Sequence, residues 1–327
     1  MTKGNAKLVV GFLAGLGVLT GGGIWVNRLL MPGSVPAQAQ TNQQPQSGQE
    51  ISGMSGMTHH NQSGSGMSDM EHGSMSPAQA GLRATAQLNV KGPVSPGQSF
   101  PLTITIKDPQ GQPVKDFQIT QEKLMHLIVV SNNLGFYEHI HPTFTGNGQF
   151  EISTALPQSG QYMLFSDFKP VGMSHQVTAL PLSVAGTLTA ANPRVNLEHT
   201  KTFGPTWVNL SLSNPNSQSV EPTTLVAGQE VKVTFDLKDT ATGRSVSNLQ
   251  PYLGTGGHLV ILRQSPQLTA ANYIHAHALP LASTTSADPG QVSFLVAFPQ
   301  AGHYKLWGQF SRGGQIVTAD FWVDVKA

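Results

Sequence analysis

The chain has 327 residues, more than one domain commonly needs, with 35 Gly, 22 Pro and only 11% charged residues, a composition that favours short strands and turns over long solvated helices. A formal net charge of +1 with no basic block removes the Lys/Arg footprint that a phosphate backbone requires, so no nucleic acid is expected as a partner. The absence of cysteine excludes disulfides, a thiol nucleophile, iron–sulfur clusters and thiolate copper centres, leaving His, Met, Asp, Glu and backbone as the available metal ligands.

Residues 1–31 read as a transmembrane anchor or signal segment. Lys3 and Lys7 precede an uncharged apolar run of 19 residues over positions 8–26, about the length of a membrane span. Positive charge is heavier before the run, which predicts a cytoplasmic N-terminus and a translocated remainder. Ala37-Gln38-Ala39 has the small-X-small form of a signal-peptidase site, although it lies far from Val26, so cleavage and an uncleaved anchor both stay open. Either way the remainder is expected to be periplasmic or otherwise extracytoplasmic, anchored in the inner membrane or secreted.

Residues 32–81 are Gln, Ser, Gly, Pro and Asn with almost no aliphatic side chains, too little apolar surface to offset chain entropy, and are expected to be a disordered linker. This linker nevertheless carries Met54, Met57, His59, His60, Met67, Met70, His72 and Met75, which is five of the ten methionines and three of the twelve histidines. Exposed Met invites oxidation and has no role in a solvated spacer. Thioether together with imidazole suits Cu(I), and imidazole with carboxylate suits Cu(II). The competing reading is compositional drift. The tract resembles the Met/His-rich tracts of periplasmic copper-resistance proteins.

Beyond residue 81 the chain reads as all-β: two tandem immunoglobulin/cupredoxin-like β-sandwich domains, 82–187 and 188–327, after the N-terminal hydrophobic helix and the disordered linker. The segments recur in order. Met125-His126-Leu-Ile-Val-Val matches Gly257-His258-Leu-Val-Ile-Leu. His139-Ile-His141 matches His275-Ala-His277. Pro157-Gln-Ser-Gly160-Gln-Tyr162 matches Pro299-Gln-Ala-Gly302-His-Tyr304. Trp207-Val-Asn-Leu-Ser-Leu is expected to open the second domain.

If residues 126–131 and 136–141 form a hairpin turning at Asn132-Asn133-Leu134-Gly135, His126 lies opposite His141, and His139 shares their face. His258, His275 and His277 allow the same construction across a longer loop near residues 265–272. A one-residue slip would scatter either trio. Three convergent imidazoles suit copper, or zinc as the other possibility. Met173 and His175, in the loop before the last strand of the first domain, offer a fourth ligand there. The second domain has no counterpart, which ranks the first trio as the metal site and the second domain mainly as scaffold. Glu138 and Asp167 are candidate partners for the imidazoles, and His303 reads as an isolated surface residue. The competing reading of the trios is a structural hydrogen-bond network.

The strings Met125-His-Leu-Ile-Val-Val-Ser131, Phe136-Tyr-Glu-His-Ile-His-Pro142 and Tyr162-Met-Leu-Phe-Ser-Asp-Phe168 resemble a bacterial family of secreted β-sandwich domains that often accompany heavy-metal and copper-handling genes. Relatives usually show a Gly-Gly-X-Pro-Gln type loop where this chain has Gly172-Met173-Ser174-His175-Gln176. The resemblance implies an extracytoplasmic domain. The expected function is therefore envelope metal binding, copper first, for sequestration or delivery. The partners implied are metal ions, the membrane through the N-terminal helix, and another envelope metal-handling protein. The alternative is a structural or adhesive surface module. No enzyme is expected, since no nucleophile elbow, carboxylate pair in a suitable context or nucleotide loop is present.

Overall fold

Residues 127–130 and 259–262 are continuously apolar, and a strand of that kind is covered on both faces. In the computed structural model, which describes residues 83–187, 193–215, 224–279 and 288–327, both runs are inner strands of β-sandwiches and buried throughout. The first sandwich comprises β1 (Thr85–Val90), β2 (Ser99–Lys107), β3 (Phe117–Gln118), β4 (Met125–Ser131), β5 (Tyr137–Ile140), β6 (Thr143–Gly146), β7 (Gln149–Ala155), β8 (Gly160–Pro170) and β9 (Gln176–Val184). One sheet runs β1-β2-β7-β6, and the other runs β3-β8-β4-β5 with β9 also on β8.

The second sandwich comprises β10 (Thr200–Phe203), β11 (Thr206–Ser213), β12 (Leu225–Val226), β13 (Glu230–Asp239), β14 (Leu249–Gln250), β15 (His258–Arg263), β16 (Tyr273–His277), β17 (Gln291–Ala297), β18 (Gly302–Arg312) and β19 (Gln315–Lys326). Its sheets run β10-β11-β13-β17 and β12-β19-β18-β15-β16, with β14 on β18. The segment around Trp207 is β11, as the sequence suggests. The fold is all-β and sandwich-like. No helix among the described residues is long and apolar enough to cross a membrane. The apolar run 8–26 and the Met/His tract, from Met54 to Met75, lie outside the described residues.

The repeat is visible in local chemistry. Tyr162 donates its hydroxyl to the Gln158 carbonyl at 2.9 Å, and Tyr304 does the same to Gln300 at 2.7 Å. Gly160 and Gly302 open the two strands concerned with the same φ of 136°, a region that side chains with a Cβ avoid. Each tyrosine thus pins the turn before its own strand to a core position, as in the tyrosine corner of immunoglobulin-type sandwiches.

Strand alternation divides the buried residues into three groups. Leu127, Val129 and Leu164 face the core of the first sandwich with Ile104, Phe150 and Leu156. Leu259, Ile261 and Leu306 face that of the second with Phe235, Phe294 and Phe321. The residues between them point the other way. Ile128, Val130, Met163 and Phe165 meet Val260, Leu262, Trp307 and Trp322 in a third apolar cluster that joins the two sandwiches. All described residues belong to one compact unit, Ser68–Ala327. Covering the outer faces of β4 and β15 in this way accounts for their uninterrupted apolar sequences.

The seam has internal two-fold character. Tyr137 stacks on Trp307 (ring centroids 4.8 Å apart, planes at 14°) and Tyr273 stacks on Phe165 (5.0 Å, 19°). Tyr137 corresponds to Tyr273 in the repeat, and Phe165 to Trp307. Equivalent residues therefore exchange partners, the pattern of an isologous interface, here formed within one chain.

Candidate metal centre

The side chains on the seam face of β4 are His126, Ile128 and Val130, since Met125, Leu127 and Val129 are turned inward. The β4–β5 ladder pairs Leu127 with Ile140, Ile128 with His139 and Val130 with Tyr137. One step further along that register sets His126 opposite His141. Ser131 and Phe136 close the hairpin through a backbone hydrogen bond, and Leu134 adopts φ 59° in the turn. The second hairpin pairs His258 directly with His277 and Val260 with His275. Both trios form as the alternation predicts. One ring nitrogen from each of His126, His139 and His141 lies within 4.8 Å of the others, and the same holds for His258, His275 and His277. Either triad could hold a metal ion.

The two triads are neighbours, because both hairpins present their histidines to the same seam. The His126 ring lies 5.3 Å from His275 and 5.9 Å from His258, and His139 lies 5.9 Å from each of these two. Six imidazoles therefore form one cluster between the sandwiches. His126 and His258 are fully buried and His277 is exposed, which opens a route for an ion from solvent.

Hydrogen-bond partners fix which nitrogens carry protons. His126 Nε2 lies 2.9 Å from the Thr120 carbonyl, which can only accept, so Nε2 bears the hydrogen and Nδ1 is a lone pair. Gln309 is placed with Nε2 toward Thr318 Oγ1 at 3.2 Å and with Oε1 accepting from Tyr137 Oη at 3.2 Å and His139 Nδ1 at 2.7 Å. His139 Nδ1 therefore bears the hydrogen and Nε2 is a lone pair. These two lone pairs, His126 Nδ1 and His139 Nε2, point at each other across 2.9 Å. With Gln309 placed as the acceptor, a cation between them satisfies both. The three ring nitrogens of a tetrahedral site with bonds of about 2.0–2.1 Å stand roughly 3.3 Å apart; the His126–His139 pair stands at 2.9 Å and all three lie within 4.8 Å. His141 Nε2 is also buried without a hydrogen-bond partner, a costly state for an imidazole that has nothing to bind.

The second triad follows the same plan with one change. His275 Nδ1 donates to Asp167 Oδ2 at 3.0 Å, and Tyr273 donates to the same oxygen at 3.1 Å. His275 Nε2, left as a lone pair, faces His258 Nδ1 at 3.1 Å. His258 Nε2 is buried and unpartnered. Asp167 and Gln309 occupy equivalent positions on β8 and β18, and each serves the histidine of the other sandwich.

Electrostatics favour the neutral form at five of the six imidazoles. Burial, reinforced by repulsion from neighbouring imidazoles, lowers His126 to about 4, His141 to about 3, His258 to about 2 and His277 to about 4, and holds His139 well below its usual range. Neutral imidazole is the ligating form. Burial alone would raise the Asp167 carboxyl, but hydrogen bonds from His175 and His275 outweigh it and hold the group below the usual carboxylate range.

The other sequence-derived candidates fall elsewhere. His175 Nε2 sits 2.5 Å from Asp167 Oδ1, so it braces the carboxylate behind His275 and is not aimed at the first triad. Met173 packs against the core of the first sandwich, where its thioether fills apolar space. Glu138 accepts from Thr154. His303 is on the surface, as expected, paired with Asp324 at 3.3 Å. The first triad is thus without the fourth ligand expected from Met173 or His175; both triads have three convergent nitrogens, and among the described residues a carboxylate stands behind the second. Sequence reasoning missed Gln309, Thr120, Tyr137 and Tyr273. A signal was present, since Tyr-X-His-X-His recurs in both hairpins and Asp167 aligns with Gln309.

A family described as "Domain of unknown function (DUF8832)" matches residues 80–185 and again 216–327. No curated protein matches the sequence. Among solved structures, the chain is similar to the PmoD soluble domain from Methylocystis sp., with 23% identity, 38% of this chain and 94% of that chain covered, and a TM-score of 0.26. It is also similar to an alpha-2-macroglobulin mutant from Salmonella (14%, 77% and 16%, 0.24) and to a segment of two fibronectin type III domains from chicken tenascin (12%, 73% and 97%, 0.21). At TM-scores this low the fold rests on the strands and registers described above.

Proposed function

Because the chain belongs to the DUF8832 family, whose description supplies no activity to inherit, we propose from the site itself that this is an envelope metal-binding protein with its ions held at the seam between two sandwiches. The carrying observation is the pair of lone pairs on His126 and His139, 2.9 Å apart, each fixed by an acceptor on the far side of its ring. A purely structural network would place a hydrogen between them. Copper is the first metal and zinc the second. All-imidazole sites accept Cu(II) and Zn(II) alike, and the thioethers of Met54, Met57, Met67, Met70 and Met75 favour copper as the ion captured.

In this reading the apolar N-terminal run exports the chain or tethers it to the membrane, the Met/His tract captures ions, and the seam stores or passes them, for sequestration or delivery to another envelope protein. We assign no catalytic step. The domains divide near residue 187, and the tyrosine corner supports an immunoglobulin-like over a cupredoxin-like relationship. The direct test is metal counting on the purified chain after loading with copper or zinc and removal of loosely held ions. Two zinc ions per chain are expected, with copper in excess of two where the Met/His tract adds its own, and a chain carrying both His126→Ala and His258→Ala should lose the two held at the seam. Equal retention by the parent and the double variant overturns the proposal.

A further inference from the structure

The two triads differ in one respect that bears on how they fill. Behind the first stands an amide, Gln309, accepting from His139 Nδ1 at 2.7 Å. Behind the second stands a carboxylate, Asp167, buried to 1% exposure and accepting from His275 Nδ1 at 3.0 Å. The surroundings share a tyrosine hydroxyl on the same acceptor oxygen and a partner histidine facing the ligand nitrogen; they differ also in that His126 Nε2 reaches the Thr120 carbonyl and His175 takes the second oxygen of Asp167. We propose that the triads are unequal halves of one two-ion centre, and that Asp167, reaching across the seam, makes His258, His275 and His277 the half that fills first.

This rests on the metal-binding reading above. The physical reason is that a carboxylate accepting the Nδ1 hydrogen of a ligating imidazole makes Nε2 a stronger donor and fixes its direction, and it sets a carboxylate, braced on its other oxygen by His175, one ring away from the incoming cation. A neutral amide fixes direction without supplying charge. The ring-to-ring distances of 5.3–5.9 Å across the seam add a second inequality. The ion that arrives second enters beside a cation already bound, and the Asp167 charge has been used by the first. The seam therefore loads stepwise, in the order second triad, then first. Neither sandwich holds this order alone, because the carboxylate belongs to the first and the ligands it serves belong to the second.

The test is a calorimetric zinc titration of the full chain with four variants. The parent should show two events of distinct affinity. His277→Ala should remove the tighter and His141→Ala the weaker. Asp167→Asn should weaken the tighter event about 10–100-fold and leave the weaker close to its parent value. Gln309→Glu should strengthen the weaker, narrowing the gap, and tests the idea independently should Asp167→Asn fold poorly. Loss of the weaker event in His277→Ala, or two unchanged affinities in both Asp167→Asn and Gln309→Glu, overturns the order while leaving metal binding intact. A parent chain that takes up no zinc overturns the metal reading and this inference with it.

Discussion

Consider His126→Leu in chain freed of metal. The substitution removes the hydrogen bond from Nε2 to Thr120, worth about 1 kcal/mol net, while that carbonyl keeps the Lys123 N–H at 3.0 Å. Against this, a buried Leu contributes roughly 1.5–3 kcal/mol of apolar transfer energy, and the opposed lone pairs 2.9 Å apart disappear. The balance lies about 0.5–2 kcal/mol in favour of the variant. If the trio were a structural network, the same change would break a second hydrogen bond and strand His139 Nε2 as well, for a loss of about 3 kcal/mol or more. Urea unfolding with chelator present separates the two cases. Zinc at about a hundredfold over its dissociation constant should then stabilise the parent by about 2.7 kcal/mol per site, and the variant by one site only. At roughly 2–4 °C per kcal/mol for a unit of this size, the variant should fall about 5–11 °C behind the parent in the presence of zinc. A loss of 3 kcal/mol in chelator combined with an undiminished zinc response would refute the assignment of His126 as a ligand.

Trp307, 4% exposed and stacked on Tyr137, anchors the seam. Trp307→Ala should cost about 3–5 kcal/mol and split calorimetric unfolding into two transitions, and a single unshifted transition would contradict the packing described. Acid should weaken the metal-free fold, because His126 falls from 6.5 in the unfolded chain to about 4 when folded. Its contribution is complete above pH 6.5 and is lost as pH falls toward 4, about 2 kcal/mol of it by pH 5. The other lowered histidines act in the same direction, so a denaturation midpoint that stays flat from pH 7 to 5 would be inconsistent with buried neutral imidazoles. Deleting residues 40–80 should leave the two zinc sites of the seam unchanged in calorimetry but reduce the number of Cu(I) ions retained per chain. Equal copper retention removes the capture role of the Met/His tract.

The hairpins, their registers and the convergence of each trio were legible in the sequence because they depend on local rules. Strand alternation and turn chemistry at Asn132 to Gly135 place His126, His139 and His141 with no knowledge of the rest of the fold. The seam was not read, although residues 127–130 and 259–262 hinted at it, because an apolar run reports burial without naming the covering surface. Asp167 was correctly suspected of orienting an imidazole, but the imidazole is His275, 108 positions away. Nothing in one domain's pattern encodes a partner in the other. Met173 and His175 drew attention through residue type and their place in the loop before the last strand. The packing of β9 against β8 brings His175 to Asp167 and Met173 to the core.

The exchange of acceptors across the seam has a mechanical consequence. His139 leans on Gln309 and His275 leans on Asp167, so separating the sandwiches frees both rings to rotate and dismantles both sites in one motion. Reciprocity of linked equilibria then requires that ions resist that separation by the same factor by which separation loosens the ions. A partner that pries the two sandwiches apart would act as a release lever for the cargo without touching a single ligand.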